Sequence, residues 1–434
     1  MKKGKAVALL PIGVFLVLYL GLGIVFEYVM DIYMGFYNVP IIIAFLAAIL
    51  VACLQNRKVK FDQKLEIMGK GVGDKNIITM LLIFLVAGAF VGVVGRSSAQ
   101  SVAYFMLKMI PPQFSVAVLF IVACFVSLAM GTSVGTITLI TPIAVEVAQA
   151  TGFAPALCVG TVVGGAMFGD NLSFISDTTI AACNGQGCAM RDKFKGNFLI
   201  ALPAAFVTLV LVVLMTMGKE VKPIEGEYSL LQIVPYLLVL VGGIVGINVF
   251  VVLMIGILSG AVIMLTTGGV SFMDLLTGMG TGASGMFETA MVAILVAALC
   301  ALIREHGGFD ALLSFIRRVF RGNKGGQIGM GLLVGVMDVA TANNTVAIVM
   351  ANPIAKEMGK EYDITPARSA CILDTFSCVF QGVIPYGAQM LVAITAANEL
   401  GVTLSAFQIM KYLFYPNLLL VCCVVAILLT KKKK

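Results

Sequence analysis

The residues best suited to chemistry are packed into Gly169-Asp170-Asn171-Leu172-Ser173-Phe174-Ile175-Ser176-Asp177-Thr178-Thr179. Two carboxylates, an amide and several hydroxyls stand there inside a long apolar run, residues 155–183. An ionised carboxylate at bilayer depth costs about 2.5–3.5 kcal/mol on insertion scales, so it persists where it meets a cation, a proton or water. Burial favours a neutral acid and a bound cation favours the ionised one. Sodium and protons would then compete for the same oxygens. At a site open alternately to each side of a membrane, that competition is antiport. The expected ion and proton site is Asp170, Asn171, Ser173, Ser176, Asp177 and Thr178, with sodium held through Asp170, Ser173 and Asp177. Asp170 and Asp177 are seven residues apart and would share one face of an unbroken helix. A polar helix end at the cytoplasmic surface is the plainer alternative.

Two further stretches, 113–150 and 327–360, each pair two apolar arms across a polar tip. They read as re-entrant hairpins; two full spans joined by a polar turn would leave the same parity. Non-helical backbone is tolerated at membrane depth only when buried in protein or facing water. Thr132 and Ser133, at the first tip, would face the break at 170–178 and join the ion site. The second tip, Asn343-Asn344-Thr345, would face a break between Gln381 and Tyr386. Asn343, Asn344, Thr345, Asp374, Gln381 and Tyr386 are therefore expected to form a second site or a substrate-binding face. For Asp338 and Asp374 the alternative is structural pairing, with Arg368 a candidate partner.

The elements that position these groups are membrane helices. The 434 residues are 60% hydrophobic and 12% charged, against about 25% charged in soluble proteins, and mean hydropathy is +1.04. The apolar runs suit helices of about 20 residues and lack the alternation of barrel strands. The net charge of +7 lies in loops and in the tail at 431–434, where the positive-inside rule accounts for it without nucleic acid. Ten cysteines in mostly apolar segments read as buried hydrophobes, and the sole histidine, His306, is far in sequence from Cys183 and Cys188. Neither a nucleotide-binding loop nor a zinc-protease motif is present, which argues against an ATP-driven pump or a metalloprotease. Residues 1–23 have the outline of a signal peptide, but Glu27 and Asp31 follow without a small-residue cleavage site, so they read as a retained span.

The halves repeat. One offset of 211 residues carries Pro142 onto Pro353, Pro155-Ala156 onto Pro366-Ala367 and Met68-Gly69 onto Met279-Gly280. The division is 1–218, with hairpin 113–150 and broken helix 155–183, and 219–434, with hairpin 327–360 and broken helix 366–395. Basic residues at 57–75, 191–195 and 304–324 mark cytoplasmic loops, the glycine-rich stretch 268–286 reads as an outer loop, and both termini fall in the cytoplasm. Each half then has five transmembrane helices plus one hairpin, and that odd count inverts the second half relative to the first. The fold class is an all-α polytopic membrane protein of two inverted repeats. At the offset, Asp170 falls on Gln381 and Asp177 on Ala388, so the two breaks are expected to work differently.

Through Gly169, Asp170, Ser173, Ser176, Asp177 and Thr178 the chain resembles the NhaC family of sodium/proton antiporters, with Phe174 where that family usually has proline. Asp374 and Ile384-Pro385-Tyr386 look like the family's second-half signature. The repeat-and-hairpin plan is similar to the ion transporter superfamily, whose Ser-Asn-Thr hairpin tips help bind sodium; Asn343-Asn344-Thr345 matches such a tip and Thr132-Ser133-Val134 is a degenerate one. The resemblance implies a scaffold and a transport domain moving as an elevator, a homodimer, Na+ and H+ as transported ions, no cofactor, and residence in the cell inner membrane. The charge count opens the first hairpin outward, whereas dicarboxylate carriers of that superfamily lead one to expect inward. The family also includes malate/lactate exchangers, so coupled movement of a small organic acid or amino acid is the alternative. No arginine is firmly intramembrane in this reading, which leaves such a substrate's carboxylate without an obvious cation.

Overall fold

A computed structural model describes residues 5–30, 32, 38–57, 59–173, 176–218, 227–245, 247–267 and 270–429. Phe174, the tail at 431–434 and nearly all of the linker at 219–227 lie outside these, as do the side chains of Glu27, Arg96 and Arg317. The described residues are helical or irregular, with no strand.

In chain order the helices are α1 (Ala6–Ile24), α2 (Ile41–Gln55), α3 (Phe61–Val72), α4 (Lys75–Met109), α5 (Ser115–Met130), α6 (Ser133–Thr151), α7 (Pro155–Leu172), α8 (Asp177–Gln186), α9 (Met190–Thr216) and α10 (Leu230–Val245). They continue as α11 (Val249–Thr266), α12 (Phe272–Gly285), α13 (Phe287–Glu305), α14 (Gly308–Val319), α15 (Gly322–Thr341), α16 (Asn344–Glu361), α17 (Pro366–Val383), α18 (Ala388–Glu399), α19 (Ala406–Met410) and α20 (Phe414–Leu428). Among the described residues seven helical stretches are long and apolar enough to cross a membrane, or eight if the bent pair around Pro111 is one span. Four apolar helices of 10–17 residues accompany them.

Local chemistry explains the breaks. Pro155 and Pro366 stand at the first position of α7 and α17, where the missing N–H is no loss. Gly131 ends α5 and Gly187 ends α8 in the left-handed conformation that stops a helix. Thr132, Ser176 and Asn343 cap the N-termini of α6, α8 and α16 with their side chains.

Two expectations about these elements change. The stretch 268–286 is largely the helix α12, not a loop. Its glycines lie against those of α4: a Cβ on Gly92 would come within 2.1 Å of the Gly278 carbonyl oxygen, and one on Gly282 within 2.1 Å of that of Gly88. Between membrane helices, small residues four apart allow this close packing, so glycine there marks contact and not a turn. Gly92→Val is expected to separate α4 from α12 and to lower the detergent-solubilised protein's melting temperature by several degrees, the size of an overpacking penalty of about 1–3 kcal/mol; a melting curve checks it. The final apolar run divides at Lys411–Leu413 into α19 and α20. The basic segment 191–195 is no loop either, because α9 already begins at Met190.

The halves of the broken helices cross over. The side chain of Gln186, on α8, donates to the Asn352 backbone and side-chain oxygens of α16 at 3.0 and 2.8 Å, and Asn352 Nδ2 donates to Ala181 O at 2.8 Å. On α18, Gln389 Nε2 donates to Ser133 Oγ of α6 at 3.0 Å. Each hairpin is thus tied to the broken helix of the other half.

Candidate ion-binding site

Asp170 ends up at the last turn of α7, 4% exposed. Ser133 Oγ donates to its Oδ2 at 2.7 Å, Ser176 Oγ donates to Oδ1, and Asn344 Nδ2 reaches Oδ2 at 3.4 Å. These donors come from the first turn of α6, the cap of α8 and the first turn of α16. Three helix N-termini, each carrying partial positive charge, converge on one carboxylate. Behind Ser133, Gln381 Nε2 donates to Gln389 Oε1 at 2.7 Å and to Ala342 O at 3.0 Å, which fixes the second-half break to the second tip.

The cavity at this point is about 80 Å³ and is lined by Thr132, Ser133, Asp170, Ser176, Asp177 and Thr178 from the first half. Asn343, Asn344, Thr345 and Gln389 line it from the second. The tip residues Asn343, Asn344 and Thr345, expected in a second site, therefore meet the first: both hairpin tips face Asp170, while Asp374, Gln381 and Tyr386 stay outside this lining. Asp177 lines the same cavity but is itself exposed. Asp177 is the first residue of α8, and Lys75 is near enough to act on it electrostatically. The shared face of an unbroken helix does not form.

Other expected members lie elsewhere. Ser173 is the buried C-cap of α7 and is not part of the cavity lining. Asn171 points to a second cluster: Asn197 Nδ2 donates to its Oδ1 at 2.9 Å and Lys193 Nζ to its carbonyl at 2.5 Å. Tyr386 donates its hydroxyl to Val339 O at 2.6 Å and lays its ring edge-on to Phe15, 4.8 Å away, where the break meets α1.

Asp374 is paired, but not with Arg368. Its Oδ2 forms a salt bridge with Lys193 and accepts from Asn197 Nδ2 at 3.3 Å, and Lys193 also donates to Thr179 Oγ1 at 2.7 Å. Lys193 is 1% exposed and Asp374 0%. Arg368 instead donates from Nε to Gln327 Oε1 at 2.8 Å. Lys193 lies between Arg191 and Lys195, whose charge gives the stretch up to Asn197 the look of a loop and hides both residues from a reading of the sequence. The available signal was their spacing of four at the start of an apolar helix, which places both on one face.

A larger cavity, about 350 Å³, opens beside the site. It runs from Lys70, Asp74, Arg304 and Glu305 to Thr341 at the second tip. Its charged end suits water entry.

The profile of the Na+/H+ antiporter family matches residues 5–218 and 220–431. The malate-2H+/Na+-lactate antiporter of Bacillus subtilis is 25% identical over 198 residues, 44% of this chain and 42% of that protein. The Na+/H+ antiporter NhaC of Alkalihalophilus pseudofirmus is 24% identical over 163 residues, 38% of this chain and 35% of that one. The matched stretches thus span less than half the length of either relative. The YdaH transporter of Alcanivorax borkumensis aligns with 82% of this chain and 89% of its own, at a TM-score of 0.44 and 14% identity.

Proposed function

Because the chain belongs to the Na+/H+ antiporter family, we propose that it exchanges sodium for protons across the cytoplasmic membrane, with Asp170 as the carboxylate the two ions share. The observation that carries this reading is a buried carboxylate whose partners are all neutral, at a helix break beside a small cavity. A hydroxyl both donates and accepts. Ser133 and Ser176 therefore suit every state of Asp170. Both donate to it when it is ionised and empty, one of them accepts from its single O–H when it is protonated, and both turn their oxygens to a sodium ion when one is bound. Asn344 offers its amide oxygen in the same way. Since one carboxylate serves both ions, binding of either excludes the other.

The hairpins and broken helices form the moving unit in this reading, because Gln186–Asn352 and Gln389–Ser133 lock them together. α1, α2, α10 and α11 form the scaffold, and the two halves are inverted repeats. The position of Asp177 near Lys75 supports an inward-facing site, since charge counting puts the start of α4 in the cytoplasm.

A second reading has one observation in its favour. Three helix N-termini at one cavity also suit the carboxylate of a small organic acid. The cavity of about 80 Å³, well short of the 300–1,000 Å³ typical of small-molecule pockets, favours ions. Reconstituted vesicles decide between them. Sodium added outside should enter in exchange for protons and alkalinise the lumen, with no organic solute present. A pH response that requires an added carboxylate or amino acid would replace sodium/proton exchange with the second reading.

A further inference from the structure

One carboxylate is left unused by exchange at Asp170. Asp338, in the last turn of α15, is fully buried, and neither of its oxygens has a hydrogen-bond partner among the described residues. An isolated ionised carboxylate in that environment would carry a large desolvation cost with nothing to offset it. Its titratable neighbours do not help. Asp374 is near enough to act on it electrostatically, but is already matched by Lys193. A charged Asp338 would set two carboxylates against one cation. Tyr386 and Cys300 donate to the Val339 and Ala340 carbonyls and bring no positive charge, and Arg368 is engaged with Gln327.

The internal repeat indicates what this position requires. The offset of 211 residues carries Ser127 onto Asp338 and Ala166 onto Ser377. The backbone is alike at both places: Gly131 N donates to Ser127 O at 2.9 Å, and Ala342 N to Asp338 O at 2.7 Å. In the first half Ser127 Oγ donates to the Ala166 carbonyl at 2.6 Å. The position calls for a donor, and an aspartate donates only when protonated. The second tip is also strained where the first is not. Ala342 has φ 47°, the left-handed region that Gly131 occupies freely; for a residue with a Cβ this costs roughly 1–2 kcal/mol.

We propose that Asp338 is a second proton-binding site, separate from Asp170, protonated in the conformation described here and deprotonated when water from the cavity that reaches Thr341 gains access to it. The inference rests on the exchanger reading. On release the O–H bond breaks, the proton passes to water in the cavity that ends at Thr341, and the carboxylate is left facing that water.

Two measurements test it. In vesicles, the sodium ratio that balances a fixed proton ratio at zero voltage reports protons moved per sodium. Asp338→Asn should shift that balance by one power of the proton ratio; an unchanged balance overturns the proposal. Infrared spectroscopy of the folded, detergent-solubilised protein needs no transport. Asp170 contributes equally to the wild type and to Asp338→Asn, so the difference between their spectra should contain a protonated-carboxyl band that disappears as pH rises through the range where exchange runs. Absence of that band from the difference, or one that never responds to pH, overturns the proposal even where the variant is inactive. Failure of the exchanger reading would instead appear as wild-type vesicles with no sodium-driven pH change.

Discussion

Asp170→Asn is expected to lower sodium-driven proton movement by about a hundredfold or more, the scale of losing a positioned proton-transfer group, while leaving a folded protein. The asparagine keeps the shape of the side chain, and its oxygen still accepts from one of the two serines. The other serine hydroxyl turns to accept from the new amide. The net change in stability is then that of about one hydrogen bond, roughly 1 kcal/mol. What disappears is the negative charge that attracts either ion. Sodium gives a second readout, because an ion that binds only the native state stabilises it by about 2.7 kcal/mol at a hundredfold excess over its dissociation constant. The wild type should melt at a higher temperature in sodium than in choline, and the variant should melt at the same temperature in both. Wild-type exchange by Asp170→Asn would remove Asp170 from the mechanism.

Lys193→Met should have the largest effect on folding. The substitution leaves Asp374 fully buried without its cation, and breaking one member of a buried pair costs about 3–5 kcal/mol. Expression and melting temperature should both fall sharply. Replacing both partners, Lys193→Met with Asp374→Leu, should recover most of the stability, since apolar residues of similar size carry no desolvation cost. Melting curves of the two single variants and the double variant form a thermodynamic cycle. Additive losses in that cycle would mean that the two side chains do not support each other. The pair joins the start of α9 to the middle of α17, next to Asn171 one residue along from Asp170. Its loss should therefore loosen the ion site as well as the fold.

These two expectations come from different levels of information. Asp170 is legible in the sequence because a carboxylate in an apolar run is costly and Asn171, Ser173, Ser176, Asp177, Thr178 and Thr179 follow it with side-chain oxygens. Lys193 is not, because three basic residues within five positions look like a cytoplasmic loop. Only the packing of α9 against α17 separates the buried one from its neighbours. Gly278 and Gly282 mislead in the same way: in water such glycines favour a turn, and between membrane helices they permit backbone contact.

Sequence by itself determined the membrane class, the two polar-tipped hairpins, the break after Asp170 and the candidate acids, because hydropathy, proline, glycine and capping residues act over a few positions. Tertiary structure decided which groups share a cavity. Both tips meet at Asp170, Asp177 is exposed, Asp374 takes Lys193, and Asp338 is left without a hydrogen-bond partner among the described residues. The reason is the crossing of the broken helices. Contacts such as Gln389 to Ser133, 256 residues apart, depend on how the halves interlock, and no local pattern records that.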